Sequence, residues 1–435
     1  MVKQIMDVLL IGSGGREHAL AWALRCSPRI GHLRIAPGNA GIAHEGELVD
    51  ISPSDVDGIV GHATSNGYEL VVVGPEAPLV DGLADRLQEA EIPVFGASAR
   101  AAELEGSKIF AKRFMSRHGI PTAAFELFRD LDNARQYLES VERTYPLVIK
   151  ADGLAAGKGV LIVDEARTAV EVAEGMLSGR SFGEAGRRIV VEERLVGREA
   201  SFFVLSDGRD FVELATCQDY KRALDGDGGL NTGGMGTYSP SVFLDEAARR
   251  EIVDSIVRPT IDGMADDERQ YRGVLYVGVM ITETGPKVLE YNARFGDPET
   301  QVMMPRLDGD WLEVLHACAT GNLPDRALRW KSEAAVCVVM TSGGYPGSYA
   351  KGAPIDGLDR AGELDGVVIF HAGTSRDGNG RVVTSGGRVL GVTALGEDLA
   401  AARRRAYEAV DLIHWEGEHH RLDIAEDAVT RLARS

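Results

Sequence analysis

Leu147-Val148-Ile149-Lys150-Ala151-Asp152-Gly153-Leu154-Ala155-Ala156-Gly157-Lys158-Gly159-Val160-Leu161-Ile162-Val163 reads as an apolar strand, a glycine loop and a second apolar strand. The loop invites comparison with a Walker A motif and fails it on three counts. Three residues, not four, separate Gly153 from Gly157, and Gly159 stands where a Ser or Thr would touch Mg²⁺. The loop also joins a strand to a strand, whereas a P-loop opens a helix. Small residues and a lysine between two strands make a flap able to close over a triphosphate. The closeness of Lys150 and Lys158 favours phosphate over an ordinary glycine-rich hairpin.

Around this core the chain alternates short elements. A helical pattern over 108–118 leads to Pro121, followed by a strand at 125–128 and a helix over 132–142. After the flap come a helix over 165–177 and a strand at 188–192. Strands 200–205 and 211–216 flank Ser206-Asp207-Gly208-Arg209, whose Asp-Gly is hairpin turn chemistry. Residues 220–240 form a long polar, glycine-rich stretch, bracketed by Asp219-Tyr220-Lys221-Arg222 and Asn231-Thr232-Gly233-Gly234-Met235-Gly236. Loops of such length in compact domains are usually functional or disordered. One long helix over 245–264 precedes strands 274–282 and 287–292, joined by a turn.

On that last strand Glu290, Asn292 and Arg294 alternate, which places them on one face. Mg²⁺ takes hard oxygen ligands, few of them from protein and the rest from phosphate and water. Glu290 and Asn292 meet that need, and Arg294 could neutralise a transferring phosphoryl group.

The first hundred residues show strand runs at 8–11, 33–36, 70–73 and 93–95, with helical patterns over 17–25 and 79–90. This alternation implies βαβ units and a parallel sheet, with ligands beyond the carboxyl ends of the strands. Gly12-Ser13-Gly14-Gly15, Ala36-Pro37-Gly38-Asn39-Ala40-Gly41 and Gly74-Pro75-Glu76 all fall at such ends, so three loops are expected to line one crevice. The first suits phosphate at a helix N-terminus. It breaks the dinucleotide fingerprint, because Glu17 replaces the third glycine and residues 18–44 contain no Asp or Glu for a ribose. A dehydrogenase is disfavoured on that ground.

The chain has 435 residues, 44% of them hydrophobic, enough for roughly three domains at ~150 residues each. Its formal charge of −19 argues against a nucleic-acid partner. Cys26, Cys217, Cys318 and Cys337 form no CxxC pair, which fits buried thiols in a reducing compartment. The N-terminus reads as a first strand, not a signal segment, and no window approaches a membrane span. A cytoplasmic enzyme is expected. Strands at 335–340, 367–371 and 389–394 and a helix over 399–413 close the chain.

At these residues the sequence resembles the phosphoribosylamine–glycine ligases of the ATP-grasp superfamily, essentially end to end. The resemblance is carried by segments 12–18 (GSGGREH), 37–41 (PGNAG), 74–78 (GPEAP), 104–108 (LEGSK), 149–160 (IKADGLAAGKGV), 219–222, 231–236 (NTGGMG) and 294–301 (RFGDPETQ). Gly343-Gly344-Tyr345-Pro346-Gly347 and Phe370-His371-Ala372-Gly373-Thr374 also match. It implies an α/β and α+β multidomain architecture. An N-terminal parallel-sheet (pre-ATP-grasp) domain would span 1–103, a two-lobed ATP-grasp domain 104–328 with its flap lobe near 123–192, and a C-terminal α+β domain 329–435.

The same resemblance implies site roles. Lys108 and Lys150 would contact ATP phosphates, and Gly153, Gly157, Lys158 and Gly159 would cover them. Glu192, Glu193 and Leu195 would meet adenine, partly through backbone, and Glu199 the ribose. Glu290 and Asn292 would hold Mg²⁺ or Mn²⁺. Arg294, Lys150 and Asp219 would act in catalysis, and Gly14, Gly15, Asn39, Lys221, Arg222, Asn231, Gly234 and Asp297 would seat glycine and 5-phosphoribosylamine. Arg194 stands where relatives often carry an aromatic residue and Arg198 where they often carry an acid, which points to altered packing on the adenine side. The implied reaction passes through glycyl phosphate to glycinamide ribonucleotide, ADP and phosphate, in purine biosynthesis. Hand-over of phosphoribosylamine by transient contact with the preceding amidophosphoribosyltransferase is left open. A different ATP-grasp carboxylate–amine ligase and a non-catalytic nucleotide sensor are the competing readings.

Overall fold

The computed structural model describes residues 5–154, 159–324 and 327–434. Gly157 and Lys158 of the expected phosphate-covering loop lie outside the described residues.

The first sheet is parallel. Strands β1 (Met6–Gly12), β2 (Ile30–Pro37), β3 (Glu47–Leu48), β4 (Leu70–Val73) and β5 (Val94–Phe95) stand in the order β3-β2-β1-β4-β5. Val8 to Ile11 and Leu70 to Val73 are buried throughout, as central parallel strands covered on both faces require. The chain leaves β1 through helix α1 (Gly15–Arg25) to β2 on one side, while β4 pairs on the other. The gap between the ends of β1 and β4 is therefore the switch point, where such sheets bind ligands. The helix expected over 79–90 is two pieces, Glu76–Val80 and Leu83–Glu89. Gly82 between them has φ of 85°, a left-handed conformation that ends one helix and admits a turn.

The flap lobe is a separate layer. Phe125–Phe128, Ile189–Glu193, Leu147–Ala151 and Val160–Val163 form an antiparallel sheet in that order. Helices Leu131–Leu138 and Ala166–Leu177 cover it around Leu138, Ile149, Met176 and Val191, a core of its own. The second lobe is built on the antiparallel order Phe211–Glu213, Arg198–Asp207, Arg272–Thr282, Gly285–Asn292. Its Val204 and Val277 share one core with Leu9 and Val71 of the first sheet, so these two layers pack as a single body.

The helix expected over 245–264 is continuous but irregular: Glu246–Ile252, a π-turn at Val253–Val257, then Arg258–Asp266. The wider turn precedes Pro259, which has no N–H for the carbonyl four residues back. The stretch 220–240 is not the open loop its composition implies. Arg222–Leu224 and Gly228–Asn231 form a small hairpin, and Gly236–Ser239 is a strand. That strand pairs Gln218–Asp219 on one side and Ala334–Ser342 on the other. With the flap sheet set apart, this is the third sheet of the molecule; it continues through Arg388–Gly396 to Val367–His371, so two of its strands come from the middle of the chain. Tertiary pairing made these strands against weak local propensity. Among the described residues no helix is long and apolar enough to cross a membrane.

Candidate active site

The loop after β1 is shaped by one buried acid. Gly14 caps α1, and Glu17, three residues on, turns back to accept a hydrogen bond from the Gly14 N–H at 2.6 Å. Its other oxygen takes the Arg16 Nε at 2.6 Å. A Cβ on Gly12 would lie 2.4 Å from Glu17 Cγ, and one on Gly74 would lie 2.2 Å from Glu17 Oε1. The two glycines let the carboxylate sit between the ends of β1 and β4. A cavity of about 300 Å³ opens there, lined by Gly12, Ser13, Gly14, Glu17, residues 52–54, Pro75, Ala77 and Pro78.

The expectation that three loops line this crevice is corrected. The loop with Asn39 is a brace, and residues 52–54 take its place in the lining. The Asn39 amide donates to the Ser13, His371 and Ala372 carbonyls, and its oxygen accepts from Gly41 and Ile42 N–H. Asn39 thus fixes the glycine loop to the third sheet.

A second group of residues gathers around Glu290. Lys108 donates to the Gly153 carbonyl at 3.1 Å and Lys150 to the Leu289 carbonyl at 3.0 Å. Lys221 stands 3.8 Å from Glu290 and 3.4 Å from Glu199. Burial pushes the Glu290 carboxyl up, but Lys221, Lys150, Lys108 and Arg294 outweigh it and hold it below the usual range. Burial also pushes the Lys108 ammonium down, only partly opposed by Glu290. For Lys221 the burial effect is overridden by Glu199, Tyr276 and Glu290, which keep it charged.

The strand ends at Asn292, so the alternation expected through 294 covers Glu290 and Asn292 only. Arg294 is instead placed by two acids, Glu76 at 3.2 Å and Glu105 at 3.0 Å. Burial works against its charge, and Glu105 and Glu76 more than compensate. Asn292 is buried and its amide nitrogen has no partner.

Glu192 is buried between Lys150 and Lys112, each 3.1 Å from its Oε1. Its side chain is thereby occupied within the lobe. Lys112 is a site neighbour that sequence reading missed, and burial, opposed by Glu192, brings it down to about 8. Glu193 is exposed and accepts from Ala124 N–H, and Leu195 is half-buried beside it. Gly159 accepts the Ala151 N–H across the mouth of the flap. Arg198 stacks over Phe243 and pairs with Asp427 at 3.0 Å. Its contacts are thus with Phe243 and with the C-terminal helix Glu426–Leu432.

A third group lies where the sheets meet. Asp219 Oδ1 is buried without a partner. Burial and the neighbouring Glu299 push its carboxyl well up, against Lys221 and Arg388. Gly234 packs against it, since a Cβ there would lie 2.8 Å from Asp219 Oδ1. Arg222 and Asn231 bond each other across the hairpin at 3.1 Å. Asp297 accepts from Gln301 at 2.8 Å and pairs with Arg388 at 3.2 Å. A Cβ on Gly14 or Gly15 would lie 3.6 or 3.7 Å from the Asp297 carboxylate, so this group touches the first glycine loop.

Glu17, Glu76, Glu105 and Arg388 are contacts that the motif reading did not assign. Glu17 carried a signal, an acid three residues after a helix cap. Arg388 carried none, because its neighbours are brought together only by the fold.

Comparison with known proteins matches three family models: phosphoribosylglycinamide synthetase N domain over 6–105, ATP-grasp (A) domain over 106–300 and C domain over 335–427. A phosphoribosylamine–glycine ligase of Caulobacter vibrioides is 51% identical over 420 residues, covering 96% of this chain and 97% of that one. The crystal structure of the phosphoribosylamine–glycine ligase from Thermotoga maritima superposes with a TM-score of 0.85 at 35% identity, covering 96% of this chain and 100% of that one. A biotin carboxylase from Campylobacter jejuni shares the fold alone, with a TM-score of 0.74 at 14% identity over 99% of both chains. With half its residues identical to such a relative over nearly its whole length, and with three family domains in order, the chain belongs to the phosphoribosylglycinamide synthetase family, the phosphoribosylamine–glycine ligases.

Proposed function

We propose that this chain uses ATP to join glycine to 5-phosphoribosylamine, yielding glycinamide ribonucleotide, ADP and phosphate. The observation that carries the reading is the placement of Arg294. It is held between Glu76, which opens the helix beside the cavity at the first glycine loop, and Glu105, on the helix leading to Lys108. One guanidinium thus stands between the amine pocket and the phosphate-binding lysines.

A carboxylate is a poor electrophile toward an amine. Transfer of the γ-phosphoryl of ATP to glycine gives glycyl phosphate, whose carbonyl the amine of phosphoribosylamine attacks with release of phosphate. The protein's part is to position and to neutralise charge. Lys108 and Lys150 exchange their carbonyl acceptors for ATP phosphates, and the loop from Gly153 through Gly157 and Lys158 to Gly159 closes over them. Backbone at Glu192, Glu193 and Leu195 meets adenine, and Glu199 meets the ribose. The buried, unpartnered oxygen of Asp219 accepts the ammonium of glycine, with Lys221, Arg222, Asn231, Gly234 and Asp297 forming the wall around it. Gly14 and Gly15 at the start of α1 take the phosphate of phosphoribosylamine, and Asn39 holds that loop in place.

The donor set fits Mg²⁺ or Mn²⁺. Glu290 is kept ionised, and two residues along the same strand the buried Asn292 carries an amide oxygen, a hard neutral ligand. Glu290 and Asn292 would hold the ion, which when bound adds positive charge at the phosphates. Phosphoribosylamine is chemically short-lived, so transient contact with the amidophosphoribosyltransferase that supplies it belongs to the same proposal.

The test is ADP release from Mg-ATP with glycine and with phosphoribosylamine formed in situ from ribose 5-phosphate and ammonia. ADP that requires both substrates is the expected result. ADP formed with another carboxylate or amine, and not with these, would replace the substrates and keep the fold.

A further inference from the structure

The third sheet and the turn after its strand Ala334–Ser342 each send one side chain into the region between the substrate sites. Arg388, at the start of strand Arg388–Gly396, donates from Nη1 to the Gly233 carbonyl at 2.6 Å and to the Asp297 carbonyl at 2.7 Å. Its Nη2 stands 3.2 Å from the Asp297 carboxylate. Tyr345, from the Gly-Gly-Tyr-Pro-Gly segment, accepts the Gly233 N–H on its hydroxyl at 3.1 Å. One residue, Gly233, is therefore gripped at both its donor and its acceptor by side chains more than a hundred positions away in sequence.

The grip is close. A Cβ on Gly233 would lie 3.0 Å from Arg388 Cζ, and one on Gly387 would lie 2.4 Å from the Tyr345 ring. Next along the chain, Gly234 is wedged between Pro298 and Asp219, with room for no Cβ: the nearest atoms would be 2.4 and 2.8 Å away. Its N–H is held by Thr232 Oγ1 at 3.0 Å. Fixing Gly233 thus fixes the wall against the unpartnered oxygen of Asp219. Through Asp297 the same guanidinium reaches the carboxylate that abuts Gly14 and Gly15.

We propose that Arg388 and Tyr345 are positioning residues of the ligation reaction. They hold the Gly233 peptide and Asp297 so that the glycine site at Asp219 and the phosphate loop at Gly14 keep one relative geometry. The inference rests on the functional reading above. A planar fork is needed, because three oxygens on two chain segments are bridged at once, and an ammonium on a flexible stem cannot reproduce that. The lysines that meet ATP lie outside this clamp, so its effect falls on glycine and on the amine substrate.

The test compares the full-length wild type with Arg388→Lys, Tyr345→Phe and the double variant, by steady-state ADP release and thermal unfolding. Arg388→Lys should lower kcat/KM for glycine about 10²-fold, the size expected of an ångström-scale misplacement. Tyr345→Phe removes one neutral hydrogen bond and should lower it about 5-fold. KM for ATP should stay within about 2-fold in both. The double variant should lose less than the product of the single losses, since both side chains hold the same peptide. Wild-type kcat and KM for glycine in Arg388→Lys would overturn the inference. So would an equal loss of kcat/KM for every substrate, ATP included, in step with a lowered Tm, which is what a purely structural role gives. Absence of glycine-dependent ADP release in the wild type would instead sink the functional reading, and this inference with it.

Discussion

The two glycine loops of this molecule are held in opposite ways. The loop after β1 is locked from inside: Glu17 fills the space that Gly12 and Gly74 leave, caps α1 through Gly14, and Asn39 ties Ser13 to the third sheet. The loop after Leu147–Ala151 is held at its near end by charge. Asp152 accepts from Ser107 and Ile109, Lys108 reaches the Gly153 carbonyl, and Lys150 divides itself between Glu192 and the Leu289 carbonyl. The first is a preformed cradle. The second is a set of cations resting on protein acceptors that a triphosphate would replace. On the proposed function, preorganisation suits the pocket that would take phosphoribosylamine, and exchangeable acceptors suit lysines that would pass to a nucleotide.

The largest effect should come from breaking the cradle. Glu17→Ala leaves Arg16 without its buried carboxylate and the Gly14 N–H without an acceptor. Breaking a buried pair costs about 3–5 kcal/mol of stability. Chemical unfolding should show that loss, together with a fall in kcat/KM for phosphoribosylamine. If Glu17→Ala unfolds like the wild type, the cradle is not locked and the contrast is lost.

Lys150→Met should show the opposite pattern. Glu192 keeps Lys112 at 3.1 Å, so the fold loses less than in Glu17→Ala. A donor aimed at phosphate is worth about 10²-fold in kcat, or about 2.7 kcal/mol. Equal destabilisation of the two variants, with kcat for ATP turnover preserved in Lys150→Met, would erase the distinction.

The sequence exposed the two loops unequally as well. Both announce themselves by composition, and the strands flanking them are apolar runs that any parallel or antiparallel packing would bury. The charged groups around the second loop came from separate signals, Lys150 from the loop motif, Glu290 from the strand alternation and Lys108 from the family resemblance, and the fold brings these three into one cluster. What locks the first loop was only half legible. Glu17 follows the cap signature, yet nothing local shows that Gly74, from another strand, makes room for it. Asn39 looked like a pocket residue by its position at a strand end, and only the third sheet reveals that its amide is fully used as a brace. Residues 220–240 misled for the same reason. Their strand Gly236–Ser239 exists because Ala334–Ser342 lies alongside, a partner nearly a hundred positions further on.

The smallest predicted effect concerns the outer support of the cradle and follows from pH. His371 donates its backbone N–H to His18 Nδ1, and its own ring, bonded to Thr374, lies between the first and third sheets. Burial, with His18, His44 and Arg376 nearby, brings its pKa down to about 3. In the unfolded chain a histidine titrates near 6.5. The folded state therefore refuses a proton that the unfolded state accepts. Stability is fully present above about pH 6.5 and falls as the pH drops from there toward 3. Between pH 7 and 5 this one group accounts for about 1–2 kcal/mol, given its partial exposure. His371→Gln, which cannot titrate, should flatten that part of the stability–pH curve, while Lys150→Met should leave its slope unchanged. An identical acid slope in wild type and His371→Gln would mean that the ring is free to protonate in the folded protein, and the cradle would then be supported without it.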